Sequence, residues 1–187
     1  MIFVTVGHQM PFDRLIRTVD AWAVQHDRVD LFAQIGDTEV WPQSFQAVPF
    51  LTPEQFAQRM DDADQIVGHA GTGTIIAALQ RGKPLLVLPR RADLEETRND
   101  HQSATADYFE REGYVLVARS ETELAAKLSA LDDFTPRSLD RDAASPQLIQ
   151  RLRSFAFDLP AHAEQSIKDH QPDAGGADEL SETSVVG

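Results

Sequence analysis

Cysteine is absent from the chain. That excludes a disulfide scaffold, a thiolate nucleophile and a thiolate metal site, and it suits a reducing compartment. Long apolar runs are missing too. The opening stretch MIFVTVGHQM is apolar, but it has no basic leader and no small-residue cleavage site, and nothing approaches the roughly 18 apolar residues of a spanning helix. These absences predict a soluble, cytoplasmic protein. Basic residues are scarce: 17 Lys and Arg face 30 Asp and Glu, a net charge of -13. That balance argues against nucleic acid as a partner and against unaided adhesion to an anionic membrane.

The deficit is uneven. Residues 158–187 hold seven acids against the single base Lys168 and almost no large apolar side chains. Such a segment cannot offset the entropy of ordering. The expected organisation is one domain over residues 1–157 and an acidic, disordered tail over 158–187.

Along that domain, strands alternate with helices. Apolar runs at Met1–Val6, Val29–Ile35, Gln46–Leu51, Asp64–Gly68, Leu85–Leu88 and Tyr114–Val117 read as strands. Helices are expected from Pro11 to Gln25, after the cap Thr52, over Gly71–Arg81, Asp100–Glu112 and Glu121–Leu131, with a last amphipathic one over Pro146–Phe157. The pattern predicts an α/β fold of Rossmann-like kind: a mostly parallel sheet with helices on both faces. Ligands in such folds sit at the carboxyl ends of the strands, so the loops after strands one, four and five carry the functional reading.

In Val67-Gly68-His69-Ala70-Gly71-Thr72-Gly73-Thr74 a strand ends in a glycine-rich turn that opens a helix. Gly71 and Gly73 permit close approach of backbone to a ligand, and the free N–H groups of the helix start favour an anion. Thr72 and Thr74 either donate to phosphate oxygens or cap the helix. His69 stands at the strand tip. A tight turn with no ligand remains the alternative. The glycine spacing is neither the dinucleotide fingerprint nor a Walker A loop. The loop after strand five runs from Arg90-Arg91 to Asn99-Asp100-His101-Gln102. Its arginines suit phosphate and its amides suit a sugar or ribose; a solvated, salt-bridged loop is the alternative. Gly7-His8 after strand one faces the same rim, and His8 is either functional or simply exposed. Two Asp-x-Asp pairs, Asp62-Ala63-Asp64 and Asp140-Arg141-Asp142, lie before a strand and in a loop-rich region. Neither is read as a metal site, and no metal is expected.

Taken in order, these segments resemble glycosyltransferase family 28, in its C-terminal, donor-binding half. The resemblance rests on the His69–Thr74 turn, on Gly82-Lys83-Pro84 before a strand ending at Pro89, on Asn99-Asp100-His101-Gln102, and on Phe3–Gly7 followed by Pro11–Leu15. It covers about residues 1–131 and is closest to short bacterial exopolysaccharide subunits. The catalytic subunit of the eukaryotic two-part enzyme that adds the second N-acetylglucosamine to a dolichol-linked sugar looks similar. The resemblance implies one half of a GT-B architecture and an inverting transfer from a UDP-sugar to a lipid-linked saccharide acceptor. It also implies a membrane-anchored acceptor-binding subunit that recruits this chain to the inner face of the plasma membrane. The diphosphate site would fall on Gly7, His69, Gly71, Thr72, Gly73, Thr74, Arg90 and Arg91, and the sugar or ribose on Asn99, Asp100, His101 and Gln102. His8 is the candidate general base within this chain; the partner otherwise supplies it. The segment Leu148–Leu159 is either a docking helix or a helix packed on its own domain. The sequence departs from the family at Ala77, where many members carry a ribose-binding glutamate, and at His8, where many carry threonine or serine. Two other classes stay open: a non-catalytic binding or scaffold subunit, and a complete small enzyme acting on a nucleotide-sugar.

Overall fold

The computed structural model describes residues 1–8, 10–98 and 101–138. Six strands form one sheet: β1 (Ile2–Thr5), β2 (Leu31–Gln34), β3 (Gln46–Val48), β4 (Gln65–His69), β5 (Leu85–Leu88) and β6 (Leu116–Val117). Their order is β3-β2-β1-β4-β5-β6, and every pairing is parallel. Among the described residues four α-helices lie between strands, α1 (Asp13–Gln25), α2 (Pro53–Asp62), α3 (Thr72–Gln80) and α4 (His101–Arg111), and α5 (Glu121–Ala130) follows β6.

Parallel strands buried on both faces need apolar residues at every position, and alternation then decides which layer each one joins. Ile2, Val4, Leu86 and Leu88 point to one side, where they meet Leu15, Ile16, Val19 and Trp22 of α1 and Leu124 and Leu128 of α5. Phe3, Ile66, Leu85 and Val87 point to the other, against Met60 of α2, Ile75 and Ala78 of α3 and Phe109 of α4.

Several element boundaries differ from the sequence expectation. Helix α1 begins at Asp13, because Phe12 holds a non-helical cap conformation. Strand β2 starts at Leu31, and Val29 is exposed. Strand β3 stops at Val48; Pro49, which has no N–H to donate, follows it. The Pro146–Phe157 helix, the Leu148–Leu159 segment, the Asp140–Asp142 pair and the tail lie outside the described residues. Among the described residues no helix is long and apolar enough to cross a membrane.

The start of α2 follows the sequence closely. Thr52 Oγ1 accepts from Gln55 N at 3.2 Å, and Gln55 Oε1 accepts from Thr52 N at 2.9 Å, with Pro53 in the first turn. This reciprocal cap satisfies two otherwise orphan donors. Thr52→Ala should therefore lower stability by about 1 kcal/mol, measurable by urea denaturation.

Strand order reverses between β1 and β4. The chain runs outward from β1 to β3, then returns to place β4 on the other side of β1. Loops leaving β1 and β4 thus diverge above the sheet and leave a crevice at their carboxyl ends. That crevice is the candidate site.

Candidate functional site

A cleft of about 880 Å³ opens at this switch point. Gly7 and His8 after β1 form one wall, His69 through Thr74 after β4 the floor, and His101, Gln102 and Thr105 of α4 the far side. A contiguous space of about 480 Å³ reaches from His8 and His69 past Arg90 to Thr97 and Arg98. No carboxylate lines the larger cleft among the described residues, although the chain as a whole is strongly acidic. The adjoining smaller space includes one carboxylate, Glu96.

The floor follows from local chemistry. Gly71 caps α3, no side chain among the described residues bonds to the helix start, and Gly71 O accepts from Ile75 N at 3.1 Å. The N–H groups at the start of α3 therefore lack intrahelical partners and carry the positive end of the helix dipole. Thr72 and Thr74 do not act as side-chain caps, and Thr74 is buried. Gly73 has nothing within 4 Å of where a Cβ would stand, so its face is open to a ligand.

Gly71 has a different role from the one expected. A Cβ there would overlap Nε2 of His69, and a Cβ on Gly7 would lie 2.7 Å from His69 Cε1. The two glycines make the slot that holds the imidazole; Gly7 also has a φ of +78°, which favours glycine. The His69 Nδ1 is buried without a hydrogen-bond partner. Burial, then the neighbouring cation of Arg90, push its pKa down to about 4, against a hydrogen bond between the ring and the Thr5 backbone that raises it. The ring is thus neutral near pH 7 and can offer a ligand a hydrogen bond but no charge.

A buried polar network sets the β1 wall. Thr5 Oγ1 donates to Gln34 Oε1 at 2.7 Å. Gln34 Nε2 then donates to the carbonyls of Gly7 and Pro49, both at 3.0 Å. The ring of His8 stacks on the half-exposed Phe50, with centroids 6.2 Å apart.

The two arginines expected to hold phosphate have other partners in the structure. Arg90 is 4% exposed. Its Nη1 donates to Pro11 O at 2.6 Å and Glu96 O at 3.0 Å; its Nη2 donates to Val6 O and Met10 O, both at 2.7 Å. Arg91 points outward and pairs with Asp93 through Nε at 3.0 Å, and neither cavity includes it. Gln102 is also structural in part, since its Oε1 accepts from Arg90 N at 3.1 Å. His101 faces both cavities. Asn99 and Asp100 lie outside the described residues. Sequence reasoning missed Thr5, Phe56, Arg98 and Thr105. Thr105 was within reach of that reasoning, because it follows His101 by one helical turn and shares its face.

Asp62 and Asp64 sit at the opposite end of the sheet, where Asp64 pairs with the amino terminus at 2.5 Å. Among the described residues no three His, Asp or Glu side chains come together as a metal site would require.

A parallel sheet in this order, with a helix start and open glycines at its switch point, defines an α/β domain suited to binding a phosphorylated ligand. The sequence model of the glycosyltransferase family 28 C-terminal domain matches residues 1–156, and the chain belongs to that family. The fold is one half of a GT-B glycosyltransferase. The human UDP-N-acetylglucosamine transferase subunit ALG13 is 31% identical over 126 residues, which is 61% of this chain and 10% of that protein. A Pseudomonas savastanoi UDP-N-acetylglucosamine--N-acetylmuramyl-(pentapeptide) pyrophosphoryl-undecaprenol N-acetylglucosamine transferase is 38% identical over 85 residues, covering 46% of this chain and 22% of that enzyme. The NMR solution structure of ALG13 superposes with a TM-score of 0.56 at 24% identity, covering 81% of this chain and 94% of that one. The chain thus spans about a tenth of the human relative and less than a quarter of the bacterial enzyme.

Proposed function

We propose that this chain is the donor-binding subunit of an inverting glycosyltransferase. It holds the diphosphate of a UDP-sugar against the start of α3, with His69 donating a neutral hydrogen bond and Gly73 allowing close approach. The observation that carries this reading is the start of α3, whose first N–H groups have no side-chain partner among the described residues, in a cleft whose described lining holds no carboxylate. UDP-N-acetylglucosamine is the donor named by both relatives, and it is the donor we assign.

In the transfer, an acceptor hydroxyl oxygen bonds to the anomeric carbon while the bond from that carbon to the diphosphate breaks. UDP leaves with the electron pair, stabilised by the helix start without a metal. The acceptor proton passes to a base. His8 is the candidate here, and the partner's half of the cleft is the other source. A single half leaves the sugar open to water, which supports a second subunit closing over the site. We assign that role to a membrane-anchored acceptor-binding subunit that brings the chain to the inner membrane face. There a lipid-linked saccharide in exopolysaccharide synthesis would be the acceptor; the bacterial relative's name specifies a pyrophosphoryl-undecaprenol acceptor.

Calorimetric titration at pH 7.5 with a chelator present tests the donor reading. UDP should bind saturably, and UMP and uridine at least tenfold more weakly. Equal affinity for UDP and uridine would remove the diphosphate from the site. The absence of a carboxylate base among the described cleft residues favours one alternative, a non-catalytic nucleotide-sugar-binding subunit. That reading predicts UDP binding with no transfer even when the partner is supplied.

A further inference from the structure

The walls of the cleft come from separate loops, and loops lose ordering entropy when they are fixed. In the loop after β1, Gly7 O accepts from Gln34 Nε2 and Phe12 N donates to Thr38 Oγ1, both at 3.0 Å. The loop's carbonyls at Val6, Met10 and Pro11 converge on one side chain from the loop after β5, Arg90, which also takes the carbonyl of Glu96. A guanidinium has four Nη hydrogens in one plane, and here each has its own carbonyl. The guanidinium also stacks on Phe12, 4.5 Å from the ring centroid. The side chain of Glu96 does not neutralise it directly, because that carboxylate is bonded to Arg14 at 2.8 Å and to Arg91 N at 3.0 Å. Arg90 is therefore a buried cation held by carbonyl dipoles, beside the cleft but with no donor left to enter it through Nη.

We propose that Arg90 is a positioning residue. Its planar fork clamps the loop after β1 to the loop after β5, which sets Gly7 and His8 against His69, and its charge is felt in the cleft without contact to the ligand. The clamp stands on geometry alone; only its effect on UDP affinity rests on the donor reading. Lysine keeps the charge but offers three donors from a single point, so it cannot reproduce the four-carbonyl geometry.

The test compares wild type, Arg90→Lys and Arg90→Met, with Arg28→Gln as a control for losing a half-buried cation away from the cleft. In Arg90→Lys, amide hydrogen exchange at Gly7, His8 and Met10 should speed up at least tenfold while α2 is unchanged, and UDP affinity should fall at least tenfold. The His69 titration, followed by imidazole NMR, should stay low in Arg90→Lys and rise in Arg90→Met; loss of stability alone would not separate the two variants in this way. Exchange at those amides within twofold of wild type would overturn the proposal. If neither variant folds, the wild-type guanidinium decides. Four separate acceptors predict slowly rotating, resolved Nη protons for Arg90, and averaging like that of exposed Arg17 would overturn the clamp. If wild type fails to bind UDP, the donor reading falls, and the exchange and guanidinium readouts still judge Arg90.

Discussion

Gly71→Ala should abolish measurable UDP binding and also lower stability, by about 1–3 kcal/mol. The backbone at Gly71 has an ordinary φ of -79°, so conformational strain is not the cause. The cause is steric. The new methyl would overlap the His69 ring, which cannot retreat, because Gly7 closes the slot on its other side. Either the ring leaves the slot or the start of α3 shifts, and both destroy the arrangement that faces the diphosphate. Gly73→Ala is the informative contrast. It meets nothing within 4 Å, and alanine within a helix gains roughly 0.5–1 kcal/mol over glycine. That variant should be as stable as wild type or more so, and yet bind UDP more weakly, because its methyl occupies the face open to the ligand. Calorimetry with parallel denaturation separates the two effects. Equal UDP affinity in Gly71→Ala and wild type would show that the His69 slot has no part in binding.

Acidification should destabilise the protein through His69 before its carboxylates titrate. The imidazole lies at about 4 in the fold, against 6.5 for the ordinary group. Between those values the unfolded chain binds a proton that the folded chain refuses, so stability rises with pH across this window. The contribution is fully present above about pH 6.5 and is lost as pH falls toward 4, to a total of about 3 kcal/mol. The carboxyl of Asp20 acts lower. Burial would raise it, but hydrogen bonds from Ser44 and Gln43 outweigh burial and hold it below the usual value of 3.8. Denaturation of wild type and His69→Gln at pH 7.5, 5.5 and 4.5 isolates the histidine: wild type should lose about 3 kcal/mol more than the variant. Parallel losses would mean that the ring titrates normally.

The fold was legible because its determinants are local. Apolar runs such as Leu85–Leu88, the Thr52-Pro53-Gln55 cap and the stop at Gly82 each state their element directly, and alternation of strand and helix leaves few topologies. Strand edges were less legible: alternation does not show that Val29 stays in solvent. At the site, the turn from His69 to Thr74 could be recognised from its glycines and the helix that follows. What each glycine accommodates could not, since Gly71 serves a side chain two residues away and only Gly73 is open to a ligand. The same holds for the partners of Arg90. A cation at a rim suggests phosphate, but its partners are backbone carbonyls, and backbone carbonyls leave no mark in a sequence. Phe56 and Arg98 were missed because they come from segments whose approach to the cleft depends on tertiary packing.

Chemical-shift mapping of the labelled chain during a UDP titration tests most directly the proposed nucleoside diphosphate site at the switch point between β1 and β4. Saturable shifts centred on the amides of Thr72, Gly73 and Thr74 and on the His69 ring, with the amino-terminal edge around Asp30 and Asp64 unmoved, is the predicted result. Shifts centred elsewhere, or none at saturating UDP, would contradict it.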